Sequence, residues 1–240
     1  MNVRFSKEKI SVNFAKNNIL KGRHIALIVV LLLVLDQVFK FYIKLNYHLG
    51  EEHNIIGNWF RLNFVENPGM AWGWQFGGGI GKMLLTLFRL GAVIWGIFYI
   101  RKISRKNLHP GFVLCVSLIF AGAAGNLIDS MFYGMIFDKG LVFDPALKVW
   151  TDYEGVAALS TPGYSSFLHG VVVDMLYFPI IQHYRLPAWI PFWGGETVNF
   201  FQYIFNLADA YISVGVIALL VWQKKFFPEK DSAEANNKTI

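Results

Sequence analysis

The stretch Phe205-Asn206-Leu207-Ala208-Asp209-Ala210 (FNLADA) lies inside the last long apolar run of the chain, 200–222. Asn206 and Asp209 are three residues apart, so they share one face of a helix. A carboxylate that faces lipid costs about 2.5–3.5 kcal/mol on insertion scales, and such a residue therefore normally faces the interior of a helix bundle. The stretch predicts a membrane helix whose polar face is directed at a site inside the protein.

The composition agrees with a membrane location. Of 240 residues, 55% are hydrophobic and only 16% are charged, which is too apolar for an ordinary soluble domain. The net charge of +6 comes largely from basic residues that flank apolar runs, so membrane topology explains it and no nucleic-acid partner is expected. The single cysteine, Cys115, excludes an intramolecular disulfide and a cysteine metal cluster.

Four apolar runs predict four transmembrane helices, at about 24–44, 83–100, 112–133 and 200–222. The first run is too long for a signal peptide and no small-residue cleavage site follows it, so we interpret it as a retained helix. The membrane domain would then cover 24–225, between a basic N-terminal segment (1–23) and a polar tail (226–240).

The distribution of Lys and Arg predicts the orientation. The segment before the first run carries six, the 101–106 loop four and residues 224–240 four, whereas the longer segments 44–82 and 134–199 carry three each. By the positive-inside rule both termini are cytoplasmic. Polar residues of the helices and the outer loops then converge near the outer leaflet: Asp36, Asn67, Asn126, Asp129, Asp174, Asn206 and Asp209.

Carboxylates are the only candidate catalytic groups in this cluster. The six histidines show no metal-binding spacing, and the chain has neither a GxSxG nucleophile motif nor a P-loop. Two carboxylates held close together, here Asp174 and Asp209, cannot both ionise and therefore share a proton. Such a pair can hydrolyse a peptide bond by acid–base catalysis without a covalent intermediate.

Other interpretations remain open from the residues alone. Asp129 by itself is more often a structural group than a catalyst, and Asp36 with Lys40 is either part of a site or a neutralising pair whose lysine snorkels to the interface. A small proton-coupled transporter would also use intramembrane Asp and Asn. It predicts polar residues through the full membrane depth, whereas here they gather on one side. A catalytically dead relative has no support, because both candidate positions are aspartate.

Five motifs, taken together, resemble the family of bacterial lipoprotein signal peptidases (signal peptidase II). They occur in the family's order and cover most of the chain from 36 to 215: DQVFK (36–40), ENPGMAWG (66–73), GNLIDS (125–130), VVVDMLYF (171–178) and FNLADA (205–210). The resemblance implies a membrane aspartic peptidase that cleaves the signal peptide of prolipoproteins immediately before a cysteine carrying diacylglycerol.

The resemblance also implies a fold and a set of site residues. We expect an all-α membrane protein of four transmembrane helices with a small extracytoplasmic β-cradle, partly formed by 59–76, and enlarged outer loops. Asp174 and Asp209 would be the catalytic pair. Residues that bind or orient substrate would be Asn67, Asn126, Asn206, Asp36, Lys40, Gly69 and Asp129. The family needs no metal or other cofactor, and we expect a monomer in the bacterial cytoplasmic membrane that contacts lipids and binds globomycin-type inhibitors.

The sequence departs from the family pattern in two respects. Ser130 stands where the family normally has Arg after GNLID. The stretches 135–169 and 179–199 are much longer than usual, and the aromatic residues of the second, Trp189, Phe192 and Trp193, suggest that it lies on the outer leaflet. We hypothesise that these insertions cap the site or adjust access of the lipidated substrate. Deletion of 138–165 with no effect on cleavage or substrate range would contradict this.

Overall fold

The computed structural model describes residues 22–69, 78–106, 108–200 and 202–227, without the side chains of 199 and 200. Within these ranges three helices are long and apolar enough to cross a membrane: α1 (Gly22–Asn46), α2 (Gly78–Ile103) and α3 (Pro110–Ile136). The N-terminal segment 1–21, the tail from 228 onward and the cradle residues 70–77 lie outside the described residues.

The last apolar run divides into strand and helix. It begins with β8 (Ile204–Phe205), continues as α4 (Leu207–Val221) and ends in the short α5 (Gln223–Phe226). The expected start of the helix at 200 is therefore wrong by seven residues. Both strand and helix are apolar here, so hydrophobicity could not separate them. Asn206 marks the boundary because its side chain accepts a hydrogen bond from the Asp209 backbone N–H and caps the helix.

The chain is not all-α. An antiparallel sheet has the strand order β1-β2-β5-β8, with β1 (Glu52–Ile56), β2 (Phe60–Asn67) and β5 (Val172–Tyr177) beside β8. The expectation of an all-α fold is therefore corrected to a mixed one, with a small sheet at one end of the helices. β2 lies within the stretch 59–76 that was expected to form part of the β-cradle, and the VVVDMLYF motif forms β5.

The sheet packs on the C-terminal ends of α1 and α3. A buried apolar cluster there includes Ile43 of α1, Tyr133 of α3, Phe64 of β2 and Val173 of β5. All six residues of β5 are buried, which explains its nearly continuous apolar sequence. A second cluster holds the opposite ends of the helices together and includes Ile25, Ile103, Phe112 and Val113.

Glycines of α3 permit close contact with α4. A Cβ at Gly122 would lie 2.2 Å from the Ala208 carbonyl oxygen, and one at Gly125 would lie 2.7 Å from Oδ2 of Asp36. A side chain at either position would therefore separate the helices. The small-residue stretch of α3 brings α1, α3 and α4 together at the level of the polar motifs.

The two insertions each contain a hairpin. In the first, β3 (Val142–Asp144) pairs with β4 (Val149–Thr151), and in the second, β6 (Ile181–Arg185) pairs with β7 (Thr197–Phe200). The first hairpin lies against the start of α2, because a Cβ at Gly78 would meet the Phe143 ring at 2.2 Å. The two insertions are thus folded segments with their own strand pairing.

Candidate active site

Asp209 is held by the first turn of α4. Asn206 and Asp209 form a reciprocal capping box, in which the Asn206 side chain accepts from the Asp209 backbone N–H at 2.9 Å. Asn126 of α3 donates to Oδ1 of Asp209 at 2.7 Å. The carboxylate is therefore held by the Asn126 side chain and, at 3.5 Å, by the Asn206 backbone N–H. It lies at the helix N-terminus, where the helix dipole favours negative charge.

Asp174 lies on β5 and is only 2% exposed. Its Oδ1 accepts from Nδ2 of Asn206 at 2.6 Å, and the same amide group donates to Oδ1 of Asn126 at 3.0 Å. The two aspartates are thus linked through Asn206 and Asn126. Burial, and then the charge of Asp209, raise the pKa of Asp174 to about 8, against the opposing effects of Lys40 and of hydrogen bonds from Asn67 and Asn206. At neutral pH the Asp174 carboxyl therefore holds a proton.

Lys40 lies at the centre of the site and is completely buried. Its Nζ forms ion pairs with Asp129 at 2.7 Å and with Asp36 at 3.0 Å, and donates to Oδ1 of Asn126 at 2.9 Å. Lys40 therefore does not snorkel to an interface, and Asp36 with Lys40 belongs to the site. Asp36 also accepts from the Ala208 backbone N–H at 3.0 Å, which ties α1 to the start of α4.

Asn67 and Gly69 form the turn that follows β2. The Gly69 backbone N–H donates to Oδ1 of Asn67 at 2.9 Å, and the Asn67 side chain hydrogen-bonds to Asp174. Gly69 has φ +106, and a Cβ there would lie 2.7 Å from the Leu85 side chain. The positive φ favours glycine at this turn, and a side chain there would also have to displace the end of Leu85.

The structure brings all nine predicted site residues into this region and adds four more around them: Gln37, Tyr133, Arg89 and Ser130. Gln37 donates to Oδ1 of Asp129 at 2.8 Å and accepts from the Tyr133 hydroxyl at 3.1 Å. On the side of α2, Nη1 of Arg89 donates to Oγ of Ser130 at 3.2 Å. In the sequence, Gln37 stands within the DQVFK motif and Arg89 interrupts the apolar run 83–100. Neither pattern predicts which residue the side chain contacts.

A second buried ion pair lies beside the site. Lys44 is paired with Glu66 of β2, and both side chains are fully buried. Glu66 also accepts from the Tyr153 hydroxyl at 2.9 Å and from the Leu141 backbone N–H at 2.7 Å. The first insertion is therefore attached to α1 and β2 through one carboxylate.

A cavity of about 500 Å³ adjoins Asp174. Its lining includes Asp174 and Asn67, and also Trp150 and Asp152 of the first insertion. The insertion thus lines part of the space next to Asp174. Within the described ranges, no group of three or more His, Cys, Asp or Glu side chains is arranged to hold a metal ion.

Comparisons with known proteins agree with the motifs. The family model described as Signal peptidase (SPase) II matches residues 28–225. The lipoprotein signal peptidase of Porphyromonas gingivalis is 45% identical over 204 residues, which cover 84% of this chain and 83% of that protein. That of Amoebophilus asiaticus is 37% identical over 82% of this chain and 76% of its own length.

A solved structure described as a bacterial membrane enzyme shares the fold. It covers 88% of this chain and 93% of its own, with a TM-score of 0.52 and 22% sequence identity. The protein is accordingly a bacterial membrane protein with several apolar helices and a small antiparallel sheet. The resemblance of the five motifs is confirmed, and the chain belongs to the signal peptidase II family, the aspartic peptidases that process lipoproteins.

Proposed function

We propose that Asp174 and Asp209 are the catalytic pair with which this lipoprotein signal peptidase cleaves prolipoproteins before a diacylglyceryl-modified cysteine. One observation carries the assignment: the buried Asp174 carboxyl is linked through two asparagines to the Asp209 carboxylate at a helix N-terminus. Burial and the charge of Asp209 raise the pKa of Asp174 to about 8, so it can serve as the acid. A general acid and a general base in one site are what hydrolysis of an amide by water requires.

The first step is attack of water on the scissile carbonyl. Asp209 is the more exposed of the two, and its carboxylate takes a proton from the water as the new C–O bond forms. Asp174 gives its proton to the carbonyl oxygen, so no net charge develops on the tetrahedral intermediate. The Asp174 carboxylate that results is stabilised by Asn206, which already donates to it at 2.6 Å.

The second step reverses the two proton transfers. Asp209 gives its proton to the leaving amine as the C–N bond breaks, and Asp174 recovers its proton from the hydroxyl that becomes the new carboxyl group. Both aspartates return to their starting states, and one water has been consumed. Lys40 does not take part in these transfers, since it is occupied by Asp36 and Asp129 and positions Asn126 between the aspartates.

The orientation of the chain follows from its charge distribution. We place both termini in the cytoplasm, with four membrane segments and the sheet on the outer side, because the Lys-rich and Arg-rich segments then all lie inside. At 15 residues, α4 is about 22 Å long, so it does not cross the whole hydrocarbon core unaided. Its first turn would hold Asp209 below the outer surface, at the depth of a cysteine whose acyl chains remain in the bilayer.

The partners follow from the same placement. The substrates are diacylglyceryl-modified prolipoproteins, the surrounding lipids are part of the binding environment, and globomycin-type inhibitors would compete for the site. The enzyme acts as a monomer, because the aspartates and their supporting groups all come from one chain. The 141–153 part of the first insertion covers the cavity beside Asp174 and contributes to substrate binding.

The test is cleavage of a diacylglyceryl-modified prolipoprotein in detergent or membranes by wild type, Asp174→Asn and Asp209→Asn. Glu52→Gln, which removes a carboxylate from the exposed strand β1 away from the site, is the control. We expect both site variants to fold and be inert, and the control to cleave normally. Near-normal activity of either site variant would show that the catalytic pair is wrongly assigned. Failure of the wild type to cleave a lipidated substrate would overturn the function. The transporter interpretation would then be tested by measuring proton flux.

A further inference from the structure

The turn between β6 and β7 carries no charged side chain. Its residues, 186–195, read LPAWIPFWGG, and we call them the aromatic tip. Three large rings in it point away from the protein: Trp189 is 80% exposed, Phe192 94% and Trp193 60%. A single exposed apolar residue needs no explanation, whereas a group of large apolar side chains on one turn marks a contact surface.

The backbone of the aromatic tip is folded on itself. The Leu186 N–H donates to the Glu196 carbonyl at 2.8 Å, and the Gly194 N–H donates to the Ile190 carbonyl at 2.9 Å. Phe192 has φ +70, in the left-handed region that is unfavourable for a large aromatic residue. The turn therefore holds this ring outward, and its hydrogen-bonded backbone groups can enter an apolar environment without being left unpaired.

The hairpin that carries the aromatic tip stands away from the main sheet. At its base, Gln182 accepts from Arg61 at 3.2 Å and donates to the Tyr177 hydroxyl at 3.3 Å. Within the described parts of the chain β6 and β7 pair only with each other, and all five residues of β6 are exposed. A two-stranded hairpin alone is only marginally stable in water, so this one requires a surface outside the chain to pack against.

The position of the hairpin in the fold indicates what that surface is. The hairpin connects β5 to β8, and α4 begins directly after β8. The sheet itself packs on the C-terminal ends of the apolar helices α1 and α3. The hairpin therefore emerges at the end of the helix bundle, where the membrane-spanning helices leave the hydrocarbon core and the lipid headgroups begin.

We propose that the aromatic tip is a membrane anchor, and that its three rings enter the boundary between headgroups and acyl chains in the leaflet on the side of the sheet. Aromatic rings favour this boundary, and a segment without charges enters it at low cost. A protein partner is the alternative, but the tip has few side-chain groups for the hydrogen bonds that surround a protein interface. The inference concerns the second insertion and does not depend on the catalytic pair.

A fluorescent label on a single cysteine tests the anchor. In a Cys115→Ala background, which removes the native thiol, Phe192→Cys is labelled with an environment-sensitive dye in nanodiscs of phosphatidylethanolamine and phosphatidylglycerol. Ala146→Cys, in the exposed turn of the first hairpin between Asp144 and Lys148, is the matched control. We expect phospholipids brominated in their acyl chains to quench the label at 192 several-fold more strongly than the label at 146.

A second variant tests whether the rings carry the contact. Trp189→Asp combined with Trp193→Asp, in the labelled Phe192→Cys protein, places two carboxylates in the tip, which lipid disfavours. We expect quenching by brominated lipid to fall to the level of the label at 146, and quenching by aqueous iodide to rise. The midpoint of thermal unfolding should not change, because both tryptophans are exposed.

These measurements can overturn the proposal in three ways. A label at 192 that iodide quenches and brominated lipid does not would place the aromatic tip in water. Lipid quenching that persists in the double aspartate variant would show that the tryptophans do not make the contact. Protection from iodide that disappears as the ratio of protein to lipid is lowered would assign the tip to a second copy of the chain.

Discussion

Two lysines, one helical turn apart on α1, are both completely buried, and they serve different regions of the molecule. Lys40 pairs with two carboxylates and an asparagine that bonds directly to Asp209. Among the described residues, Lys44 forms an ion pair only with Glu66 and also donates to the Tyr153 hydroxyl at 3.4 Å. Aromatic rings surround it, with its Nζ 5.2 Å from the centroids of Phe137 and Tyr153. The first environment is polar and connected to the aspartates, whereas the second is largely apolar and connected to the first insertion.

The comparison indicates that Lys40 positions the residues around the aspartates, whereas Lys44 anchors the first insertion. The Lys40 network fixes Asn126, so a change there should alter the geometry of the aspartates. The Lys44 cluster fixes Glu66, which bonds to Leu141 and Tyr153 of the insertion. A change there should loosen the insertion and destabilise the protein while leaving the aspartates in place. We therefore expect substitution of Lys40 to lower the activity of the folded protein as well as its stability, and substitution of Lys44 to lower mainly stability.

Lys40→Met should give the largest effect. The substitution leaves Asp36 and Asp129 buried without their cation, which costs about 3–5 kcal/mol, and it frees Asn126 from one of its bonds. We expect roughly a 10³-fold loss of kcat/KM in the fraction that remains folded. Thermal unfolding in detergent measures the loss of stability and gives the folded fraction. Cleavage rates divided by that fraction measure the loss of activity. Activity near that of wild type in the folded fraction would contradict the positioning role.

Lys44→Met should destabilise the protein by a similar amount, about 3–5 kcal/mol, because Glu66 is left buried and unpaired. In contrast to Lys40→Met, activity per folded molecule should stay within about threefold of wild type. The measurement is the same pair of assays at a temperature below the unfolding transition. A loss of activity as large as that of Lys40→Met would show that the two regions are not functionally separate.

Trp150→Ala should have a smaller effect on activity than Lys40→Met and a smaller effect on stability than Lys44→Met. Trp150 lines the cavity that contains Asp174 and contacts the Phe143 ring at 5.5 Å between centroids. Removing it enlarges the cavity and weakens substrate binding, so we expect KM to rise several-fold while kcat changes little. Steady-state kinetics with two prolipoproteins that differ after the modified cysteine measure this. Identical constants for both substrates in wild type and variant would show that the insertion does not contact substrate.

Lys44→Met combined with Glu66→Leu should have the smallest effect. Apolar replacements of a buried ion pair are often neutral or stabilising, and the aromatic surroundings of Lys44 suit such residues. We expect the double variant to be more stable than Lys44→Met. It should remain about 1–3 kcal/mol less stable than wild type, because the insertion loses its two hydrogen bonds to Glu66. A double variant less stable than Lys44→Met would mean that Glu66 anchors the insertion without its lysine.

The sequence predicted the Lys40 region better than the Lys44 region. Asp36, Asn126 and Asp209 lie in apolar runs at helical spacing, so their burial and convergence could be inferred from the pattern alone. Lys44 stands at the end of its run, where a lysine is expected at the interface, and its partner Glu66 lies 22 residues away. The pairing depends on the register between α1 and β2, which local periodicity does not specify.

Local periodicity also does not predict the contacts made by β8 and by α2. Ile204 and Phe205 form a strand because β5 lies beside them, although their own sequence continues an apolar helix pattern. Arg89 could be recognised as an unusual cation, but its contact with Ser130 requires the packing of α2 on α3. Residues whose role depends on one helix face were predictable, and those whose role depends on a neighbouring element were not.

The dependence of kcat/KM on pH tests the catalytic pair most directly. Asp174 acts as an acid only while protonated, and its pKa of about 8 lies well above the usual value because of burial and the charge of Asp209. Activity should therefore persist at pH 7 and fall about tenfold per pH unit above pH 8. Between about pH 4 and pH 8 the folded state binds a proton at Asp174 that the unfolded state has lost, so the free energy of unfolding should fall as the pH rises. Asp174→Asn should abolish this pH dependence. Activity that stays constant from pH 7 to pH 10, with the protein folded throughout, would contradict the proton-sharing pair.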